Sequence, residues 1–249
     1  SCEPGLNEAD LESEFRYECM RQGAKHCAYP TIVASGANAS IYHYIDNKDV
    51  LESGAMVLID AGVEHSHYAA DITRTYPVNG QFSEQQRFLY EVVLEAQLAA
   101  ISCVAPGMAF DDAHDAAVGV IATGLAELGV FSKSTTNKER ERLSAAFIPR
   151  RTGHWMGLDV HDVGDYRVDG ESRALELGMV LTVEPGLYLP ADCSSIESKW
   201  RGLVIRLEDD ILVTAEGREV LSDAVPKSVQ ALEETIGSAA FEHSQNYNG

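Results

Sequence analysis

The stretch Met56–Thr75, MVLIDAGVEHSHYAADITRT, decides how the rest of the chain is read. An apolar run, Met56 to Ile59, ends in Asp60, and the chain turns through Ala61-Gly62. A second strand-like run starts near Tyr68 and carries Asp71 in its middle. A carboxylate in an apolar strand is costly unless it is paired, hydrogen-bonded or bound to a cation. On neighbouring strands of a hairpin, Asp60 and Asp71 repel one another unless a cation lies between them. The small residues Ala61, Gly62, Ala69 and Ala70 leave room beside them. A lone aspartate near a glycine is more often a turn residue. Here the same pattern of acids in apolar runs recurs twice downstream, which favours a metal.

At 249 residues the chain is long enough for a sizeable core, as one large domain or two small ones. Its 45% hydrophobic and 23% charged residues are ordinary for a soluble globular protein. No apolar run is long enough to span a bilayer, and no signal-peptide pattern opens the chain. The opening SCEPG reads as a linker, so the expectation is a fragment of a longer protein. A formal charge of −20 argues against nucleic acid, whose phosphates are held by basic patches. The five cysteines are widely spaced and contain no CxxC, which points to free thiols and a cytoplasmic, reducing setting.

Outward from the central stretch, Glu8 to Ala24 has helical spacing, and Tyr29 to Ala34 is β-prone. Gly36 to Ala39 reads as a loop, and His43 lies between Tyr42 and Tyr44. Ser83, with Gln86 three residues on, caps a helix running to about Val104. Its apolar face is expected to comprise Phe88, Val92, Leu94, Leu98 and Ile101. A further helix opens at Asp111 or Asp112 and stops at Gly129. Ser132 to Arg142 is an exposed connection with a short helix. Lys227 to Ile236 forms the last helix, and 237–249 a flexible tail.

The chemistry lies in acids and histidines. VLTVEPG places Glu184 at the end of a β-branched run that Pro185-Gly186 stops. In LVIRLE the period is two, so Val204, Arg206 and Glu208 share one face and Leu203, Ile205 and Leu207 the other. Arg206 beside Glu208 is equally readable as a simple ion pair. His154 follows a glycine in RTGHWMGLDVHDVG, and His161 stands beside Asp162. Singly, each histidine is more often a hydrogen-bonded core or surface residue. Together, Asp60, Asp71, Glu184, Glu208 and His154 offer oxygen and a little nitrogen but no thiolate. That suits a hard or borderline ion such as Mn²⁺. Two divalent ions offset four carboxylates, lower the pKa of a water held between them and polarise a carbonyl.

In order and spacing, IDAG…ADITRTYPVNGQFS, TGHWMGLDVHDVG, VLTVEPGLY and IRLEDDILVT resemble the pita-bread metallopeptidases. The branch they resemble most is aminopeptidase P (Xaa-Pro aminopeptidase), over roughly Glu8 to Ile236. The resemblance implies an α+β fold of two pseudo-repeated halves: a curved antiparallel sheet with outer helices and a metal site in its hollow. It implies one catalytic domain over 1–236, without the N-terminal domain of full-length relatives. It implies two divalent ions, Mn²⁺ above others. Asp60 would hold one, His154 and Glu184 the other, and Asp71 and Glu208 both. The implied substrate is a peptide with proline second. His161 would hydrogen-bond the scissile carbonyl, and His43 would contact the substrate. Glu184 would accept a proton, and Arg206 and Tyr188 would support the cluster.

Two residues depart from the family pattern. Arg150 stands four residues before His154, where relatives carry a histidine, and Val204 stands where many carry glycine. Arg150 is a substrate-side residue in this reading and is expected to lower activity, or to pair with a substrate carboxylate. The alternatives are a prolidase acting on Xaa-Pro dipeptides and a catalytically silent peptide-binding module. Retention of every ligand position favours the enzyme. Homo-oligomerisation is left open.

Overall fold

The computed structural model describes residues 2–236. Helix α1 spans Glu8–Arg21, three residues short of the expected end. Asn7 caps it, accepting from the Ala9 N–H, while Asp10 accepts from the Asn7 N–H. It stops because Gly23 takes φ +102°, a left-handed turn that glycine adopts without strain. The buried Glu8 ties this helix to the rest, accepting from the Ser35 N–H at 2.7 Å and the Tyr44 hydroxyl at 2.8 Å.

Six strands follow: β1 (His26–Cys27), β2 (Ile32–Ser35), β3 (Met56–Ala61), β4 (Val63–His65), β5 (Tyr68–Ala69) and β6 (Ile72–Pro77). Gly36–Ser40 is a 3-10 helix rather than an open loop. Helices α2 (Glu84–Ser102) and α3 (Phe110–Glu127) complete the first half. The second half holds α4 (Asn137–Ser144), β7 (Arg167–Val168), β8 (Glu171–Ser172), β9 (Val180–Val183), β10 (Gly186–Tyr188), β11 (Val204–Arg206), β12 (Asp209–Thr214) and β13 (Gly217–Val220). Residues 229–236 are helical, and the expected tail over 237–249 lies outside the described residues.

Each half contributes a three-stranded antiparallel sheet, β2-β3-β6 in the first and β13-β12-β9 in the second. The two meet where β6 adjoins β11 and the start of β12. There the Glu208 N–H donates to the Thr73 carbonyl at 3.0 Å. The Thr75 hydroxyl bridges Arg206, donating to its carbonyl at 2.9 Å and accepting from its N–H at 3.1 Å. The joined surface is the curved antiparallel sheet of a pita-bread fold, with the helices outside.

The apolar alternation of β11 works as expected: Ile205 and Leu207 are fully buried in the main core beneath the helices. Their polar neighbours are thereby turned to the hollow side. On α2 the expected face is displaced. Leu89, Tyr90, Val93, Ala96, Gln97 and Ala100 join Ile101 inside, while Leu98 is 50% exposed. The cause is that α2 lies between the sheet and α3, so it buries two strips instead of one. Close approach to α3 is possible because a Cβ on Gly124 would lie 2.7 Å from Val92 Cγ1.

The central hairpin also differs from expectation. β3 pairs directly with β6, with Asp60 opposite Thr73, and β4 and β5 form an excursion between them. Asp71 therefore lies in the break between β5 and β6, not inside a strand. Gly62 makes this crossing possible, since a Cβ there would meet the Ala70 carbonyl oxygen at 1.6 Å. Among the described residues no helix is long and apolar enough to cross a membrane, and all five cysteines are free.

Candidate active site

A cavity of about 490 Å³ opens on the polar side of the sheet. Every expected ligand, catalytic or substrate-side residue lines it: Asp60, Asp71, His154, Glu184 and Glu208, with Arg206, Tyr188, His43, His161 and Arg150. A second hollow of about 600 Å³ between α1 and β1 contributes none of these groups.

The strands explain the convergence. Asp60 is the fifth residue of β3, Glu184 immediately follows β9, Arg206 closes β11 and Glu208 precedes β12. His154 arrives on irregular chain that runs beside β9, its N–H donating to Thr182 Oγ1 at 3.1 Å. Gly153 permits that approach, since a Cβ there would lie 2.1 Å from the Thr182 carbonyl oxygen. His154 Nε2 lies 3.4 Å from Asp71 Oδ2 and 3.6 Å from Glu184 Oε1. Its Nδ1 faces the Trp155 carbonyl at 3.1 Å, which makes Nδ1 the protonated nitrogen of the neutral ring. His161 stands edge-on to His154, ring centroids 4.4 Å apart.

The acids are held by groups that the sequence reading missed. The Tyr29 hydroxyl lies 2.7 Å from Asp60 Oδ1 and 2.6 Å from Asp71 Oδ1. A phenol has one hydrogen, so both contacts bond only when one carboxyl carries a proton. Thr73 Oγ1 donates to Glu208 Oε2 at 2.6 Å. The Asp71 N–H, lacking a strand partner, donates to Asp210 Oδ2 at 3.1 Å. Arg206 joins Asp60 through Nη2 and donates to the Tyr188 hydroxyl through Nη1 at 2.9 Å. No local signal marks Tyr29. Thr73 carried only a period-two signal shared with Thr75, which says that it faces away from the core but not which acid it meets.

Burial dominates the electrostatics. It pushes the Glu184 carboxyl up to about 7, with Arg206 and His154 pulling the other way. Glu208 is held well above the usual carboxylate range by burial and by the charges of Asp71 and Glu184. Asp60 is raised by burial against the pull of Arg206. Burial also works against the His154 imidazolium, but Asp71 and Glu184 hold its pKa above the ordinary value. His161 is lowered by burial and by His154.

These residues fit a divalent cation. Asp71, His154 and Glu208 each offer a ligand atom, and those atoms lie within 4.8 Å of one another. Glu184 stands beside His154, and Asp60 beside Asp71 across the Tyr29 hydroxyl. The set is oxygen-rich with one imidazole and no sulfur, the chemistry of a hard or borderline ion. Four carboxyls crowded at one site, Asp71 and Glu208 buried and Asp60 and Glu184 partly so, are relieved by positive charge.

Proton linkage in the metal-free protein follows from these shifts. Glu184 ionises near its model-compound value of 4.5 when unfolded but at about 7 when folded. Between those values the native state binds more protons, so stability falls as pH rises. His154, raised as well, acts in the same direction. Chelator-treated protein is therefore expected to melt at a lower temperature at pH 7.5 than at pH 5. Glu184→Gln should flatten that difference. A metal-free protein more stable at pH 7.5, with a slope indifferent to Glu184→Gln, contradicts the assignment.

Comparison with known proteins agrees with this geometry. The profile described as metallopeptidase family M24 matches residues 1–215. The chain belongs to metallopeptidase family M24. Within this family it is 43% identical over 230 residues to a Xaa-Pro aminopeptidase of Haemophilus influenzae, covering 92% of this chain and 53% of that protein. The aminopeptidase PepP of Pseudomonas aeruginosa superposes with TM-score 0.93 at 48% identity, over 96% of this chain and 54% of that one. A zinc-substituted Escherichia coli aminopeptidase P in complex with product matches with TM-score 0.91 at 42% identity, over 96% and 54% of the two chains. This M24 chain thus spans about half the length of the curated relatives it matches, and it carries their pita-bread fold.

Proposed function

We propose that this chain is the catalytic domain of a metal-dependent exopeptidase that releases the N-terminal residue from peptides with proline second. The observation that carries the reading is the convergence of four carboxyls, Asp71 and Glu208 buried and Asp60 and Glu184 partly so, and His154 on one cavity, with His161, His43 and Arg150 around it. The names of the relatives support the substrate class. Asp60, Asp71, His154, Glu184 and Glu208 would hold two divalent ions, Mn²⁺ by preference. When bound, such ions supply Lewis-acid polarisation of the scissile carbonyl and an acidic water. The chain's own groups do the rest. His161, its pKa lowered by burial, is neutral near pH 7 and donates to the carbonyl oxygen as charge grows there. Glu184 accepts a proton and passes it towards the leaving nitrogen. Arg206, bonded to Tyr188, aims Asp60 and pulls it towards its ionised form against burial. The five free cysteines support a cytoplasmic setting.

The test compares a Xaa-Pro-Xaa tripeptide with the matching Xaa-Pro dipeptide at equal concentration, with Mn²⁺ and after chelation. Faster tripeptide turnover that disappears on chelation is expected. Faster dipeptide turnover would make the domain a prolidase, and no turnover of either would leave a peptide-binding module.

A further inference from the structure

We infer that Arg150 reads a carboxylate on the substrate, so that the cavity selects short peptides whose negative group lies just beyond the proline. The inference rests on the peptidase reading of the same cavity. Three arginines line that cavity. Arg206 is joined to Asp60, and Arg151 to Asp111. Arg150 has no carboxylate partner among the described residues. Its guanidinium carbon lies 4.7 Å from the centroid of the Tyr42 ring, and Nη1 stands 3.1 Å from His43 Nε2. Tyr42 packs on Tyr188 at 5.3 Å, and Tyr188 accepts from Arg206. The cation at the rim is therefore propped by an aromatic pair that reaches the acids at the floor.

A guanidinium has five N–H donors in a planar fork, and among the described residues only one of Arg150's is engaged. A stacked, permanently charged fork with free donors matches a carboxylate, which it can grip with two parallel bonds. Because Arg150 carries a fixed charge, Nε2 of His43 is the accepting nitrogen in their contact and Nδ1 carries the hydrogen. A carboxylate that draws Arg150 away also frees that lone pair, so a substrate lacking one meets an occupied His43. The departure from the family's histidine thus exchanges general peptide turnover for selection of a nearby negative charge.

Three substrates offered to the metal-loaded protein test this: an Ala-Pro-Ala tripeptide, its C-terminal amide, and an Ala-Pro-Glu amide. The free acid is expected to exceed the plain amide in kcat/KM by at least about fivefold, a charge-assisted bond discounted for an exposed rim. Arg150→Gln should bring that ratio close to one, and Arg150→Lys should restore part of it. Arg150→His should raise turnover of the plain amide several-fold while lowering the ratio. A glutamate amide that matches the free acid keeps carboxylate reading and shows that a side-chain carboxylate serves as well as a terminal one. Equal turnover of acid and amide, or a ratio that survives Arg150→Gln, overturns the inference. Calorimetric binding of Pro-Ala and its amide gives a readout without turnover. Acid-selective binding lost in Arg150→Gln, with no peptide cleaved, removes the peptidase reading but leaves the inference standing. Failure of wild type to bind either dipeptide overturns it.

Discussion

Asp71→Ala is expected to abolish the thermal stabilisation that divalent ions confer, and with it peptide cleavage. Asp71 is 5% exposed, and its Oδ2 faces His154 Nε2 at 3.4 Å. Its other oxygen meets Tyr29, and its backbone N–H is held by Asp210. It belongs to the one three-residue ligand group found among the described residues. An ion that binds only the folded state at a hundred times its Kd stabilises by about 2.7 kcal/mol. For a domain of this size that is roughly 5–10 °C of melting temperature. The metal-free variant should be no less stable than metal-free wild type, because one member of a mutually repelling acid cluster has gone. Melting curves with and without Mn²⁺, beside a metal count on purified protein, decide it. A variant that still gains several degrees on adding Mn²⁺ sinks the assignment of Asp71 as a ligand.

Arg74→Met is expected to cost about 3–5 kcal/mol, the usual loss when one partner of a buried ion pair is removed. The side chain is 2% exposed, and all its donors are engaged. Nε donates to the Pro226 carbonyl at 3.0 Å, and Nη1 to those of Thr73 and Glu208 at 3.0 and 2.6 Å. Nη2 donates to Asp209 Oδ1 at 2.8 Å and the Val225 carbonyl at 3.1 Å. Methionine keeps much of the volume but, among the described residues, leaves Asp209 the side chains of Lys227 and Ser222 alone. Because Arg74 grips the Glu208 carbonyl, cleavage should fall together with stability. Lysine would not rescue it, having no planar fork to reach three chain segments. Urea unfolding gives the number directly, and a loss below about 1 kcal/mol would place Arg74 among surface-like pairs.

The two variants differ in how readable their positions were. Asp71 was legible because an acid between small residues in an apolar setting is a local signal. The same holds for Glu184 and Glu208 at strand ends and for the Ser83–Gln86 cap, which forms as expected. The resemblance to the pita-bread metallopeptidases rested on such local motifs and foretold the cavity's lining. Arg74 carried only a parity signal: it alternates with Thr73 and Thr75, so it points away from the hollow and into the core. An arginine so placed needs a buried carboxylate, but parity does not say which.

By itself, then, the sequence determined which faces are apolar, where strands end in acids and which residues could hold metal. Spacing of two or 3.6 residues is a property of the chain itself, present before anything packs. The tertiary structure decided the rest. It set Asp71 in a break instead of a strand, because β3 pairs with β6 and leaves β4 and β5 as an excursion. It buried two strips of α2, because a helix between a sheet and another helix has no free flank. It supplied Tyr29, Thr73 and Asp210 as holders of Asp71 and Glu208, across separations of 42, 135 and 139 residues. A periodic pattern can say that a buried acid needs a partner. Only the closed sheet brings one of its many chemically equal candidates within hydrogen-bond reach.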